Sequence, residues 1–217
     1  ETEPTTSASN IFTIEQPGTY VVSVYVKNSV TGCVSEVLFD TIKAYPVPQN
    51  AALTTNLETN VTCSGVEITL TASADLSSGS IVSYTFNGVE SETNTTTANI
   101  PVSYVDTTYS YNVVFTTDKE CSATASVAVT AFAIPQITAI TQNNFCPANE
   151  TEVEASVVGG TAPYTYTWND QQPSENNTIV LTNGVCGSNI DVLLNVIDLN
   201  GCEVEMSQEI YAIDTVA

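Results

Sequence analysis

TTYSYNVVFTTDKEC, residues 107–121, sets Tyr109, Tyr111, Val113 and Phe115 against Ser110, Asn112 and Thr116, then closes on a charged turn and a cysteine. Such alternation marks a half-buried β-strand, because successive side chains of a strand leave opposite faces. Beyond Cys121 the pattern returns, with Ala123, Ala125, Val127 and Val129 on one side and Ser122, Ser126 and Thr130 on the other. This unit of strand, tight turn, cysteine and strand is written three times. One copy runs from Gly18 to Pro46 and opens GTYVVSVYVKNSVTGC; one runs from Thr107 to Pro135; one runs from Ser188 to Ile213 and opens SNIDVLLNVIDLNGC. The turn cysteines Cys33, Cys121 and Cys202 are spaced by 88 and 81 residues. A period of that size is one small domain, so the chain reads as an array.

The stretches between the copies also alternate. Val66, Ile68, Leu70 and Ala72 are set against Glu67, Thr69 and Thr71; Val153, Ala155 and Val157 against Glu150, Glu152 and Glu154. Gly159-Gly160-Thr161-Ala162-Pro163 reads as a turn leading into Tyr164, Tyr166 and Trp168 on one face, and Ile190, Val192, Leu194 and Val196 complete a core side. Roughly seven short strands per module, with turn signals between, point to an immunoglobulin-like sandwich. The expected fold is all-β, with tandem immunoglobulin-like β-sandwich modules arranged as a rod. No helix is expected.

Proline ends a strand and stiffens the passage at Tyr45-Pro46-Val47-Pro48 and at Ile134-Pro135. The expected organisation is therefore 1–46, the C-terminal half of a module; 47–134, a complete module; and 135–217, a complete module. The first piece lacks an opening half, and alone it turns an apolar face and unpaired strand edges to water. Either it was cut from a longer array, or another chain completes it. The start at Glu1 reads as a mature or excised segment with its export signal upstream.

The 217 residues carry a formal charge of -21, from 24 acidic residues against Lys27, Lys43 and Lys119, with no arginine or histidine. Nothing is present to neutralise phosphates, which argues against nucleic acid and anionic membranes as partners. No apolar run approaches the ~20 residues a membrane span requires. The missing histidine removes the usual general base and the commonest transition-metal ligand, and no C-x-x-C pair suggests zinc. No enzyme activity, cofactor or metal is expected. With 42% of residues hydrophobic and in register, the charge does not imply disorder.

Cys63 and Cys121, and Cys146 and Cys202, stand 58 and 56 residues apart at equivalent positions, so one disulfide per module is the simplest pairing. Closing a loop of that length contributes roughly 4 kcal/mol in the chain-entropy model. Geometry weighs against it, because the starts of the second and last strands of such a sandwich lie at opposite ends, beyond the ~4.4–6.8 Å a disulfide spans. Cys33 would pair with the absent half of its module. Cys186 has no counterpart, which leaves it free, bonded within the last module, or joined to another chain, for instance to Cys33. Trp168, Tyr166, Phe86, Tyr109 and Tyr20 are expected core aromatics, although Tyr164, Tyr166 and Trp168 would make a sugar-stacking platform if they faced solvent. Glu150, Glu152 and Glu154 read as a solvated rung rather than a calcium site.

Gly159 to Asp170 (GGTAPYTYTWND) resembles the GGTPPYTYSW segment in repeats of gliding-motility and related surface adhesins of Bacteroidetes-type bacteria. Gly18 to Val24 and Asp198 to Cys202 resemble the GTYTVTV and DANGC pieces of the same repeats, and Cys63 to Ala72 is similar to the opening of their PKD-like modules. Phe86-Asn87-Gly88 stands where the last module has Trp168-Asn169-Asp170, and neither carries the aspartate-rich turn of PKD domains proper. The resemblance implies large secreted proteins, often exported by the type IX system and displayed on the cell surface or as filaments. It also implies O-glycan acceptors of the D-T type at Thr41, Thr107 and Thr215.

The function expected is that of a non-catalytic extracellular spacer in a bacterial surface adhesin, with other modules of the same or neighbouring chains as partners, and surface glycans or proteins as further ones. The alternatives are a filament subunit whose N-terminal half-module is completed by a neighbour, and a carbohydrate-binding module of a secreted enzyme.

Overall fold

The computed structural model describes residues 11, 13–142, 150–182 and 189–211, and every regular element in them is a strand. β1 (Gly18–Val24) and β2 (Leu38–Ala44) pair antiparallel, Gly18 opposite Ala44 and Val24 opposite Leu38. The next eight strands are β3 (Gln49–Thr55), β4 (Val61–Cys63), β5 (Glu67–Asp75), β6 (Ile81–Phe86), β7 (Val89–Ser91), β8 (Thr95–Asn99), β9 (Thr107–Thr117) and β10 (Ser122–Phe132). They form two sheets, ordered β3-β5-β8 and β4-β10-β9-β6-β7. The last six are β11 (Pro135–Gln142), β12 (Glu150–Gly159), β13 (Thr165–Trp168), β14 (Thr178–Thr182), β15 (Asn189–Ile197) and β16 (Glu203–Tyr211), in sheets β11-β12-β14 and β13-β15-β16. The chain is thus a tandem of all-β, immunoglobulin-like modules.

By contact density the chain divides into two units: Glu1–Ala52, Ala72–Asn94 and Val113–Ala125 form the first, and Leu53–Thr71, Thr95–Asn112 and Ser126–Ala217 the second. In the first, β6 pairs with β9, Phe86 opposite Val113, with a register shift between Ile81 and Ser83. Here Ala72, Phe86, Val113 and Phe115 are buried, and Tyr84 meets Phe115 edge-on at 5.6 Å. The β1–β2 hairpin of this unit leaves Val21, Val24, Leu38 and Phe39 exposed.

The second unit holds the largest contiguous core described. Ile137, Ile140, Val153, Ala155, Ile179 and Leu181 from one sheet meet Tyr166, Trp168, Val192, Leu194, Val196 and Ile210 from the other. These are alternate positions of each strand except β11, where a register shift between Ile137 and Ala139 sets the pair three apart, and each wholly buried aliphatic side chain contributes about 1.5–3 kcal/mol relative to exposure. The Trp168 indole N–H is buried with no hydrogen-bond partner among the described residues.

Candidate functional site

Where β10 gives way to β11, short hydrogen bonds hold the passage. Ala133 N donates to Asp106 Oδ1 at 2.8 Å and Ile134 N to Ser103 O at 3.1 Å. The short β4 lies parallel to the end of β10, with Phe132 opposite Cys63. Ser64 continues this line: its N–H donates to Phe132 O at 2.9 Å, and its buried hydroxyl donates to Ser103 O while accepting from Ser103 N, each at 2.9 Å. Both polar functions of Ser64 are satisfied, as a buried hydroxyl requires.

Across from this line the Gly159-Gly160-Thr161 loop meets the turn between β15 and β16. Asp198 is buried, at 5% exposure. Its Oδ2 accepts Thr161 N at 2.8 Å, and its Oδ1 accepts Asn200 N and Cys202 N at 2.9 Å each. Three N–H donors replace the water a buried carboxylate loses. Leu199 N donates to Thr161 O at 2.8 Å, and Asn200 Nδ2 to Thr161 Oγ1 at 2.9 Å. Gly160, at φ +64°, allows the close approach: a Cβ there would lie 2.9 Å from Asp198 Oδ2 and 3.0 Å from Pro135 N. Tyr164 adds a brace through its hydroxyl, which donates to Gly159 O at 2.6 Å. Its ring meets Tyr166 edge-on at 6.4 Å, and burial first, then Tyr164, raises the Tyr166 phenol above its ordinary pKa.

This turn presents Cys202, 1% exposed, to Cys63, and the two form a disulfide with Cα atoms 5.5 Å apart. The bond closes a separation of 139 residues and joins a strand of the sheets spanning residues 49–132 to the last hairpin of the sheets spanning 135–211. In the chain-entropy model a loop that long contributes about 5 kcal/mol. The chemistry on offer is a covalent tie between β4 and the turn of the β15–β16 hairpin. Among the described residues no cluster of His, Cys, Asp or Glu is suited to a metal.

This corrects the expected pairing. Cys63 bonds Cys202, not Cys121, and Cys121 is a free thiol. Cys63 stands opposite Phe132 at one end of β10, whereas Cys121 directly precedes Ser122 at the other. At ~3.3 Å per residue, that strand separates the two by on the order of 35 Å. With Cys202 engaged, a Cys146–Cys202 bond is also ruled out; Cys146, Cys186 and Thr215 themselves lie outside the described residues. Cys33 is an exposed free thiol.

Phe86, Tyr166 and Trp168 are buried, and Trp168, at 3% exposure, has no ring face open to a sugar. Tyr109 and Tyr20 are half-buried, with Tyr20 donating its hydroxyl to Gln16 O at 2.6 Å. Thr41 is exposed on β2, Thr107 is half-buried at the start of β9, and Glu152 and Glu154 are half-buried on β12. The sequence expectations name none of Asp198, Ser64 and Ser103 as a site residue. The usable signal was a side-chain acceptor four residues ahead of a turn cysteine, present in both Asp198 and Thr117.

The sequence model of the SprB repeat matches residues 138–173, a stretch that holds the Gly159-Gly160-Thr161 loop and β13. No curated protein matches the chain. Solved structures similar to it include the N-terminal eight Ig domains of Down Syndrome Cell Adhesion Molecule, at 11% identity and TM-score 0.47, covering 90% of this chain and 35% of that one. Fibronectin(III)-like modules of Clostridium thermocellum CbhA align at 12% identity and TM-score 0.33, over 75% of this chain and 94% of theirs. A 1.5-MDa bacterial ice-binding adhesin aligns at 15% identity and TM-score 0.33, over 92% of this chain and 75% of that one. The chain thus spans about a third of the first of these structures.

Proposed function

We propose that the chain is a non-catalytic segment of an extracellular bacterial surface adhesin, and that its work is mechanical: a spacer whose consecutive sandwiches are locked at a disulfide-tied joint. The observation that carries this is the Cys63–Cys202 bond between two sandwiches. Tension entering at the N-terminal side of Cys63 passes through the sulfurs to Cys202 and bypasses the residues between them. The SprB repeat match and the adhesin-like sequence pieces support a surface setting, and a stable disulfide accords with an oxidising compartment. The charge of -21 favours solubility and discourages self-association.

Single-molecule stretching from the two termini tests this. The stretch between the cysteines, a separation of 139 residues, stays locked in the oxidised chain. Reduction, or Cys63→Ser, is expected to release roughly 450–500 Å of additional contour length. Equal contour lengths with and without reductant would remove the mechanical reading.

A further inference from the structure

The turn that carries Cys202 is built a second time, in front of Cys121. Thr117 N donates to Cys121 O at 2.9 Å, as Asp198 N does to Cys202 O at 2.9 Å, and Glu120 N donates to Thr117 O at 3.0 Å, as Gly201 N does to Asp198 O at 3.0 Å. Thr117 Oγ1 accepts Lys119 N and Cys121 N, just as Asp198 Oδ1 accepts Asn200 N and Cys202 N. Asp118 N donates to Ser80 O at 3.0 Å, the counterpart of Leu199 N to Thr161 O at 2.8 Å. Even the close glycine recurs, since a Cβ on Gly79 would stand 2.8 Å from Asp118 Oδ1. Tyr45-Pro46 leads into this sandwich as Ile134-Pro135 leads into the last one.

The acceptor differs, since Asp198 also takes Thr161 N, and so do the ends. Cys202 is buried and bonded, whereas Cys121 is a partly exposed free thiol, hydrogen-bonded to Thr117 and Lys119, which line a cleft of about 150 Å³ together with Tyr45, Pro46, Gly79 and Asp118 among others. At the closed joint the partner cysteine comes from the opening half of the sandwich whose last hairpin is β9–β10. The hairpin that precedes Tyr45-Pro46 is β1–β2, where Val21 and Phe39 are each 70% exposed.

We propose that the Cys121 end is the receiving surface of a second joint of the same kind, and that its occupant is the opening half of a module of this repeat, supplied in cis ahead of β1. One piece of chain then meets both unsatisfied features. It covers the apolar hairpin and brings a cysteine equivalent to Cys63 to Cys121. The bond forms when two thiols give up two protons and two electrons to a disulfide oxidant, which leaves as two thiols. The inference rests on reading the Cys63–Cys202 joint as the repeating connection of the array.

The test extends the chain at Glu1 with a copy of residues 47–89, refolds it in a glutathione redox buffer, and maps disulfides alongside the 217-residue chain. In the extended chain Cys121 is expected to join the added cysteine and to lose its labelling by maleimide, while in the 217-residue chain it stays free and the protein stays monomeric. Cys121 left free in a folded extended chain, or bonded to Cys33, overturns the proposal. So do Cys121-linked dimers of the 217-residue chain, which would make a second copy the occupant. The Cys63–Cys202 peptide in the same digests reports on the closed joint separately. If the extended chain does not fold, a chain in which residues 1–45 are replaced by a second copy of 47–134 decides the matter on the same readout.

Discussion

In the β15–β16 hairpin Val192 and Leu194 are wholly buried, while in the β1–β2 hairpin Val21 is 70% and Val24 60% exposed. Both are antiparallel, both alternate, and both turn through a cysteine. What separates them is the facing layer: β15 and β16 share a core with β11, β12 and β14, and the described residues of β1–β2 have no comparable layer over them. Alternation decides which side chains share a face; burial is conferred by whatever lies opposite. A set of equivalent substitutions should therefore give unequal costs.

The largest difference is expected between Leu194→Ala and Val24→Ala. The first removes a fully buried side chain and should cost about 3 kcal/mol in urea unfolding, the second less than about 0.5 kcal/mol. Equal costs would mean that β1–β2 is covered in solution. The two cysteine turns come next. Asp198→Ala strands three N–H donors in a buried site and should cost about 2–3 kcal/mol, against about 1 kcal/mol for Thr117→Val, which removes an acceptor of two.

Gly160→Ala combines a left-handed φ with a collision against Asp198 and Pro135, and should cost about 2 kcal/mol. Gly201→Ala has the same backbone sign but open space around it, and about 1 kcal/mol is expected. A thermal melt of the pair separates close packing from backbone strain. The smallest effect belongs to Asp118, whose carboxyl sits below its ordinary pKa chiefly because Lys119 donates to it at 3.1 Å. A lowered folded pKa means that the contribution is present above the ordinary aspartate range and is lost as pH falls through the folded value. Lys119→Ala should move the Asp118 titration upward by NMR and leave the melting temperature unchanged, since both groups lie at the surface.

The strands were legible because the period-2 code is local: Tyr111, Val113 and Phe115, or Val192, Leu194 and Val196, announce their face without reference to the rest of the chain. The disulfide was not. Equivalent spacing of Cys63 to Cys121 and Cys146 to Cys202 suggested bonds within modules, and spacing carries no information about which end of a sandwich a cysteine occupies. The parallel register of β4 against the far end of β10 fixes that, and a three-residue strand leaves no periodic trace in Val61-Thr62-Cys63. The stretch from Asp198 to Cys202 was visible as a repeat motif, but the three backbone donors to Asp198 include Thr161, 37 positions away.

Disulfide mapping of the unreduced protein tests the central claim most directly. With only three lysines, trypsin leaves Cys121 and Cys202 on one peptide, so the digest should use a protease that cuts after acidic residues and separates them at Glu150 and Glu175. The account predicts Cys63 linked to the Cys202 peptide, with Cys121 recovered as a thiol; Cys63 linked to the Cys121 peptide would contradict it.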